Sequence, residues 1–248
     1  MDTFKKSFSQ WENLKIGITG ANGSLGIALT KTLRRKGAFV IGLTSRNIIK
    51  SNNSEYNPNQ WVKWKCGEEE KLDKTLKSLD IIILNHGINH KGLITSNEIN
   101  ESLEINSLST WRLLNRFEMI SKLQREKTTP REIWINTSEA EIQPSLSPLY
   151  EISKRLIGQL VTLKWSKRNK DKISNLIIRK LILGPFRSNL NPAGVMNAEL
   201  VANQIIKQVE MKFNLIIVTP NPLTYIVMPL VELTRILYYK LTIKDYWF

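Results

Sequence analysis

Two groups of residues in this chain have the types and spacing for chemistry. One is Tyr150 and Lys154, in the segment Tyr150-Glu-Ile-Ser-Lys154. Four residues along a helix put both side chains on one face. Ser138 ends the strand-like run Arg131-Glu-Ile-Trp-Ile-Asn-Thr-Ser138, twelve residues before Tyr150. That gap is long enough for a loop to bring the strand end over the helix. A phenol, an ammonium and a hydroxyl meeting at one point can hold and move a proton. Tyr-x-x-x-Lys is common by chance, so its weight comes from what surrounds it.

The other group is the glycine run Thr19-Gly-Ala-Asn-Gly-Ser-Leu-Gly26. Before it, Leu14, Ile16 and Ile18 alternate with smaller or polar residues, as in a buried strand. After it, residues 27–37 read as a helix closed by Gly37. Strand, glycine turn and helix start together make a phosphate site. Glycine lets the backbone approach a pyrophosphate, and free N–H groups at the helix start bind anions. Gly20, Asn22, Gly23, Ser24, Leu25 and Gly26 form the expected cradle. The next apolar strand, 38–43, runs into Thr44-Ser45-Arg46. In a dinucleotide fold this strand end meets the adenosine ribose, where an acid would select NAD. Here a hydroxyl, Ser45, and a guanidinium, Arg46, stand instead. The forked donors of Arg46 suit a 2′-phosphate, so NADP is expected over NAD.

These groups need a frame to hold them. Residues 61–65 alternate like a strand. Residues 68–79 start acidic and turn basic, which matches a helix dipole. Residues 80–85 are a short apolar strand of the central parallel kind. Helices are expected over 101–122, 149–167 and 199–212, and strands over 131–138, 174–183 and 215–219. Alternation of this kind calls for an α/β fold: a single Rossmann domain, with a doubly wound parallel sheet of about seven strands flanked by helices. The domain is expected to take in residues 1–248, with 222–248 as a helical extension.

Bulk properties narrow the partners. The net charge of +14, from 36 Lys+Arg against 22 Asp+Glu, favours anionic ligands or surfaces and says nothing of fold. The basic residues, among them Lys31, Arg34, Arg35, Lys36, Lys167, Arg168 and Lys170, are scattered. No basic run is interleaved with aromatics as in a nucleic-acid reader. The single cysteine, Cys66, excludes a disulfide framework, and His86 and His90 follow a strand, so no metal is expected. The N-terminal ten residues lack the apolar core of a signal peptide. Glycosylation acceptor patterns at Asn22 and Asn136 lie inside the working parts, which favours the cytoplasm. Residues 213–231 carry no charge, but prolines 220, 222 and 229 break a spanning helix. The helix expected over 231–244 is apolar and basic. It suits a partner subunit, a membrane surface or ordinary core packing.

Taken in order, Thr19 to Gly26, Asn85-His-Gly87, Asn106, Ser138, Tyr150, Lys154 and Leu183-Gly-Pro-Phe-Arg-Ser188 resemble the short-chain dehydrogenase/reductase family, in its short single-domain form. The likeness runs from Lys15 to about Thr219. The chain also resembles, more distantly, cyanobacterial dehydrogenase-type proteins found joined to sterol-desaturase-like segments. The resemblance implies that Tyr150 is the general acid and base. A free phenol near pKa ~10 is too weakly acidic for that at neutral pH, and the Lys154 cation would lower it. Lys154 would also hold the nicotinamide ribose, Ser138 the reacting oxygen, and Asn106 a proton-relaying water. Asn85, His86, Gly87, Gly184, Pro185 and Ser188 would complete the cofactor site.

Three positions depart from the short-chain pattern. Gly23 gives the glycine spacing of the family's extended branch, Cys66 stands where an adenine-binding acid is usual, and His86 replaces an alanine. The implied reaction is NADP-dependent hydride transfer to or from a small carbonyl or alcohol substrate. Leu190, Val195 and Met196, in a short lid after Ser188, suggest a partly apolar one. A non-catalytic NADP sensor and a nucleotide-sugar-type epimerase or dehydratase are the alternatives. Intact Ser138, Tyr150 and Lys154 count against the sensor, and the short tail after Gly184 against the epimerase. Family members pair through the helices at 101–122 and 149–167, so a homodimer or homotetramer is expected.

Overall fold

Seven runs rich in Ile, Leu and Val pair, all in parallel, into one sheet. They are β1 (Lys15–Thr19), β2 (Phe39–Thr44), β3 (Gln60–Lys63), β4 (Ile81–Leu84), β5 (Arg131–Ser138), β6 (Leu176–Leu183) and β7 (Leu215–Val218). Their order in space is β3-β2-β1-β4-β5-β6-β7, so the chain winds outward from β1 in one direction and then from β4 in the other. The connections diverge between β1 and β4, and that divergence opens a crevice at the carboxyl ends of the strands. The computed structural model describes residues 9–48, 54–124, 130–167 and 176–243. Expectations for residues 1–8, 49–53, Arg168, Lys170, Ser174, Asn175 and Lys244 lie outside these.

On one face lie α1 (Ser24–Arg35) and, later in the chain, a helix over Ala198–Glu210. Leu25, Leu29, Leu33, Val201, Ile205 and Ile206 pack there with Ile16, Ile18, Trp11 and Trp134 in one core cluster. On the other face, a 3-10 turn at Glu69–Leu72 leads into α2 (Asp73–Ser78). The helix expected over 101–122 is interrupted. It comprises α3 (Ser96–Leu103), a π-helical turn at Glu104–Leu108, and α4 (Ser109–Leu123). Next come α5 (Pro148–Lys167), α6 (Ala198–Glu210) and α7 (Thr224–Thr242). Leu113, Leu114, Phe117, Ile157 and Val161 bury against Ile82, Ile133 and Ile135.

Several boundaries move from their expected places, two of them at helix starts. The first helix starts at Ser24 because Gly23, extended at φ −80° and ψ 163°, serves as its N-cap. The last starts at Thr224, seven residues early, and continues through Pro229. Pro229 is the sixth residue of that helix, so it lacks the N–H that would bond Tyr225 O, and the helix continues with that bond missing. No described helix is long and apolar enough to cross a membrane. The outer side of α7 exposes Ile226, Leu230, Leu233, Leu237 and Leu241, whereas α4 and α5 expose fewer large apolar residues, Met119, Leu123 and Ile152.

A buried ion cluster joins α7 to the rest. Lys180, in the middle of β6, is fully excluded from water. Its three N–H donors face four acceptors, Glu141 Oε2 at 2.7 Å, Glu232 Oε1 at 2.8 Å, Gly158 O at 2.9 Å and, most distant, Thr162 Oγ1 at 3.2 Å. The hydroxyl of Thr162 also contacts Glu232 Oε2, at 2.6 Å. Burial pushes the Glu141 carboxyl up, against the pull of Lys180. Removing one partner of such a cluster strands the others without water. Lys180→Met should therefore lower unfolding stability by about 3–5 kcal/mol. A loss below about 1 kcal/mol in urea titration would show that the two carboxylates do not depend on Lys180.

Candidate active site

The glycine turn opens into a cavity of about 490 Å³ above the carboxyl ends of β1, β4 and β5. Gly20 has φ +63°, and a Cβ there would lie 3.0 Å from the His86 backbone. A Cβ on Gly26 would lie 2.4 Å from Gly20 O. Neither site has room for a side chain. The first turn of α1 carries no side-chain cap and no acid. Its free N–H groups and positive dipole end therefore remain available to an anion. Gly20, Asn22, Gly23, Ser24 and Leu25 line the cavity, while Gly26 is buried behind them. This cradle fits a pyrophosphate.

At the end of β2, Ser45 and Arg46 also line the cavity. The Arg46 N–H donates to Thr44 Oγ1 at 3.1 Å, and its guanidinium has no partner among the described residues. Trp64 and Cys66 stand beyond, in the wall. Burial pushes the Cys66 thiol up.

The Thr19 hydroxyl fastens the β4 exit to the glycine turn. It accepts the N–H groups of Asn85 at 2.8 Å and His86 at 3.2 Å. Those fill its lone pairs, so its proton is left for His86 Nδ1 at 2.8 Å, with Ile83 O the weaker acceptor at 3.3 Å. His86 Nε2 then carries the ring hydrogen and faces Thr110 Oγ1 at 3.5 Å. Desolvation, reinforced by the Lys154 charge, pulls the His86 imidazole down to about 3. Asn85 accepts from Asn136 Nδ2 at 2.9 Å.

Ser138, Tyr150 and Lys154 meet across the cavity floor, and Asn85, His86, Gly87, Gly184, Pro185 and Ser188 line the same space. Ser138 Oγ accepts from Ala140 N–H at 3.2 Å, capping a 3-10 turn at Glu139–Glu141, and Ser138 acts on the Tyr150 phenol. Lys154 Nζ donates to Asn136 O at 2.9 Å and sits 5.7 Å from the Tyr150 ring centre. Desolvation pushes the Tyr150 phenol up, opposed by Ser138. Burial pulls Lys154 down to about 8, with Glu141 opposing. Only Ser138 opposes the desolvation of the phenol, and the lowering expected from the Lys154 cation is not seen in this structure.

Asn106 does not line the cavity. It sits in the π-turn, where Oδ1 accepts Ile88 N–H at 2.8 Å and Nδ2 donates to Ile88 O at 3.1 Å and Ser153 Oγ at 2.9 Å. Its side chain braces the loop after β4 against α5. In the lid, Leu190 lines the cavity, but Val195 points to solvent and Met196 packs on the core. The sequence reading missed Asn89, Asn136, Glu139, Gln143 and Ser147, all in the cavity wall. They lie on loops or at a strand end, where no periodicity marks them. Asn89 Oδ1 accepts from Ser147 Oγ at 2.6 Å, and its Nδ2 reaches Leu190 O at 3.4 Å.

This arrangement of sheet and site is the short-chain dehydrogenase fold. A short-chain dehydrogenase from Burkholderia cenocepacia in complex with NADP superposes with a TM-score of 0.72 over 95% of this chain and 100% of that one, at 16% identity. A 3-ketoacyl-(acyl-carrier-protein) reductase from Brucella melitensis complexed with NADH gives 0.69 over 85% and 98%, also at 16% identity. The model of the NAD-dependent epimerase/dehydratase family matches residues 16–200, and the chain belongs to that family. It is 41% identical over 228 residues to a monoglucosyldiacylglycerol epimerase from Synechocystis, a match that covers 91% of this chain and 54% of that protein. The chain thus spans about half the length of that relative.

The neutral His86 has a consequence for acid stability. Folded, it stays uncharged down to about pH 3, whereas unfolded it takes up a proton near ~6.5. The unfolded state therefore binds the extra proton between these values, and stability falls as pH drops below about 6.5. Each such proton contributes a slope of up to about 1.4 kcal/mol per pH unit. His86→Asn should flatten the acid limb by one proton in urea unfolding at stepped pH. An unchanged slope would assign the effect elsewhere.

Proposed function

We propose that this chain is a nicotinamide-dependent oxidoreductase that inverts a secondary alcohol carbon in the sugar headgroup of a lipid. The observation that carries hydride chemistry is the meeting of Ser138, Tyr150 and Lys154 beside the glycine cradle. The epimerase with which it shares 41% identity supports inversion as the net reaction. The 64 residues after Gly184 do not count against this, because the chain spans only about half of that epimerase.

Gly20, Asn22, Gly23, Ser24, Leu25 and Gly26 hold the pyrophosphate, and Arg46 with Ser45 the adenosine ribose and its 2′-phosphate. Lys154 holds the nicotinamide ribose. The bound nicotinamide supplies the acceptor, and then the donor, of a hydride. Ser138 holds the reacting oxygen by a hydrogen bond. Tyr150 takes the proton from that oxygen as the carbon is oxidised to a ketone, and gives it back as hydride returns to the opposite face, which inverts the carbon. Asn106 positions the loop of Gly87 and Ile88 beside the site. With a lipid-borne substrate, the apolar outer side of α7 lies against a membrane surface.

A second reading, net oxidation or reduction of an alcohol or carbonyl, uses the same groups and differs in releasing the ketone. The test is incubation with a short-chain glucosyl diacylglycerol and catalytic NADP⁺, with sugar analysis by NMR. Inversion without accumulation of NADPH supports the epimerase. Stoichiometric NADPH supports the second reading. Tyr150→Phe removes the proton carrier and leaves the ring, so turnover should fall about 10²–10⁴-fold with cofactor affinity retained. Undiminished turnover would sink both readings.

Cofactor choice rests on Arg46. Arg46→Ala should weaken NADPH binding about tenfold or more, because a hydrogen bond to a charged group is lost. NADH binding should stay unchanged. Equal affinities of the wild type for NADH and NADPH, by calorimetry, would remove the preference.

A further inference from the structure

The residue after Ser138, Glu139, lines the cavity, and the proton transfers above do not use it. Its Oε2 is gripped by two hydroxyls, Thr219 Oγ1 at 2.5 Å and Thr224 Oγ1 at 3.3 Å. Thr219 immediately follows β7, and Thr224 opens α7, so two elements distant in sequence converge on one oxygen. The fold leaves room for the grip: a Cβ on Gly184 would lie 2.4 Å from Thr219 Oγ1.

The same grip orients a second wall residue. Thr224 gives its one hydroxyl proton to Glu139, so towards Gln143 it must accept. Gln143 Nε2 donates to it at 2.9 Å, which fixes the amide and leaves Gln143 Oε1 as the free end. Among the described residues neither Glu139 Oε1 nor Gln143 Oε1 has a partner. Both are acceptors, and one belongs to a carboxylate. Such a wall recognises O–H donors and repels anions.

We propose that Glu139, with Gln143 beside it, is a hydroxyl-recognition subsite that accepts hydrogen bonds from the ring hydroxyls next to the reacting carbon of a neutral sugar. The proposal rests on the sugar-headgroup reading above. Glu139 decides which polyol is held with its reacting oxygen at Ser138. Thr219, Thr224 and Gly184 are positioning residues for it.

The test compares short-chain glucosyl diacylglycerol with its monodeoxy analogues, each lacking one ring hydroxyl, in wild type and Glu139→Gln. In the variant the amide oxygen keeps the bonds to the two threonines and the NH₂ group faces the substrate. For the parent sugar, kcat/KM should fall about 10–100-fold, the size expected for a lost hydrogen bond to a charged group. For one analogue the wild type should show the same fall, and Glu139→Gln should add nothing to it. Non-additivity of this kind reports a direct contact. Thr224→Val, which leaves the carboxylate in place but loosens it, should reproduce the pattern more weakly. Melting temperatures of both variants check that they fold. An equal loss in Glu139→Gln for the parent and every analogue overturns the subsite and makes Glu139 a support for Ser138 only. Failure of the sugar reading itself looks different: the wild type then turns over none of these sugars, and the subsite falls with that reading.

Discussion

An ammonium wholly excluded from water is the constraint on which the reacting side of this molecule depends. Lys180 sits in a strand whose neighbours are Ile, Leu and Arg, and a charge there survives only if carboxylates come to it. Glu141 comes from the turn after Ser138, and Glu232 from α7. The Gly158 carbonyl and the Thr162 hydroxyl come from α5. A Cβ on Gly158 would lie 2.0 Å from the Glu141 carboxylate, so the approach of α5 depends on that glycine. Because Ser138 and Glu141 share one turn, and Tyr150 and Lys154 ride on α5, satisfying Lys180 also sets the distance between the hydroxyl and the phenol. Glu141 also favours the charged form of Lys154. One carboxylate therefore serves the packing and also acts on the charge of Lys154.

The two halves of the cavity are built by different means, and this decided what could be read in the sequence. The cofactor half is made of backbone. Gly20 and Gly26 are required by space and Gly23 by the helix start, so the spacing of glycines in Thr19 to Gly26 carries the geometry. Tyr150 and Lys154 were legible because a helix converts a spacing of four into a shared face. The substrate half is made of side chains on loops. Glu139 and Gln143 follow no period, and their relation to Thr219 and Thr224 spans about eighty residues of sequence. Lys180 read only as a residue within a strand, since nothing near it in sequence shows that Glu232 will reach it.

The interrupted helix shows a subtler limit. Leu113, Leu114, Phe117 and Ile120 fit one apolar stripe, whereas Leu108, five residues from both Leu103 and Leu113, falls off it and is exposed. The π-turn at Glu104–Leu108 answers to contacts with α5. Asn106 Nδ2 reaches Ser153 Oγ, and Ser107 Oγ donates to Ser153 O at 2.6 Å. Adjacent residues on an α-helix point about 100° apart, so both cannot meet one partner without an added residue in the turn. The bulge makes this possible and turns Asn106 onto Ile88. The helix from Thr224 is a similar case: three prolines argued for a break, yet Pro220 and Pro222 precede it, and it continues past Pro229 without the N–H that would bond Tyr225 O.

Whether such a site ends in inversion or in release of a ketone is decided by the walls around Tyr150, because the same proton and hydride are moved in both. Inversion requires the ketone to stay while it presents its other face. In this cavity the loops at the mouth are tied to one another: Asn89 bonds Ser147 on one side and Leu190 on the other. Glu139 and Gln143 line the same cavity. A sugar ring carries several hydroxyls of similar geometry, so after it turns over a different hydroxyl can meet the same carboxylate. The reacting oxygen still returns to Ser138. A wall of O–H acceptors that leaves the rest of the ring free to turn suits a reaction whose intermediate must be held in two orientations, whereas a wall shaped to one pose would favour a single hydride transfer and release.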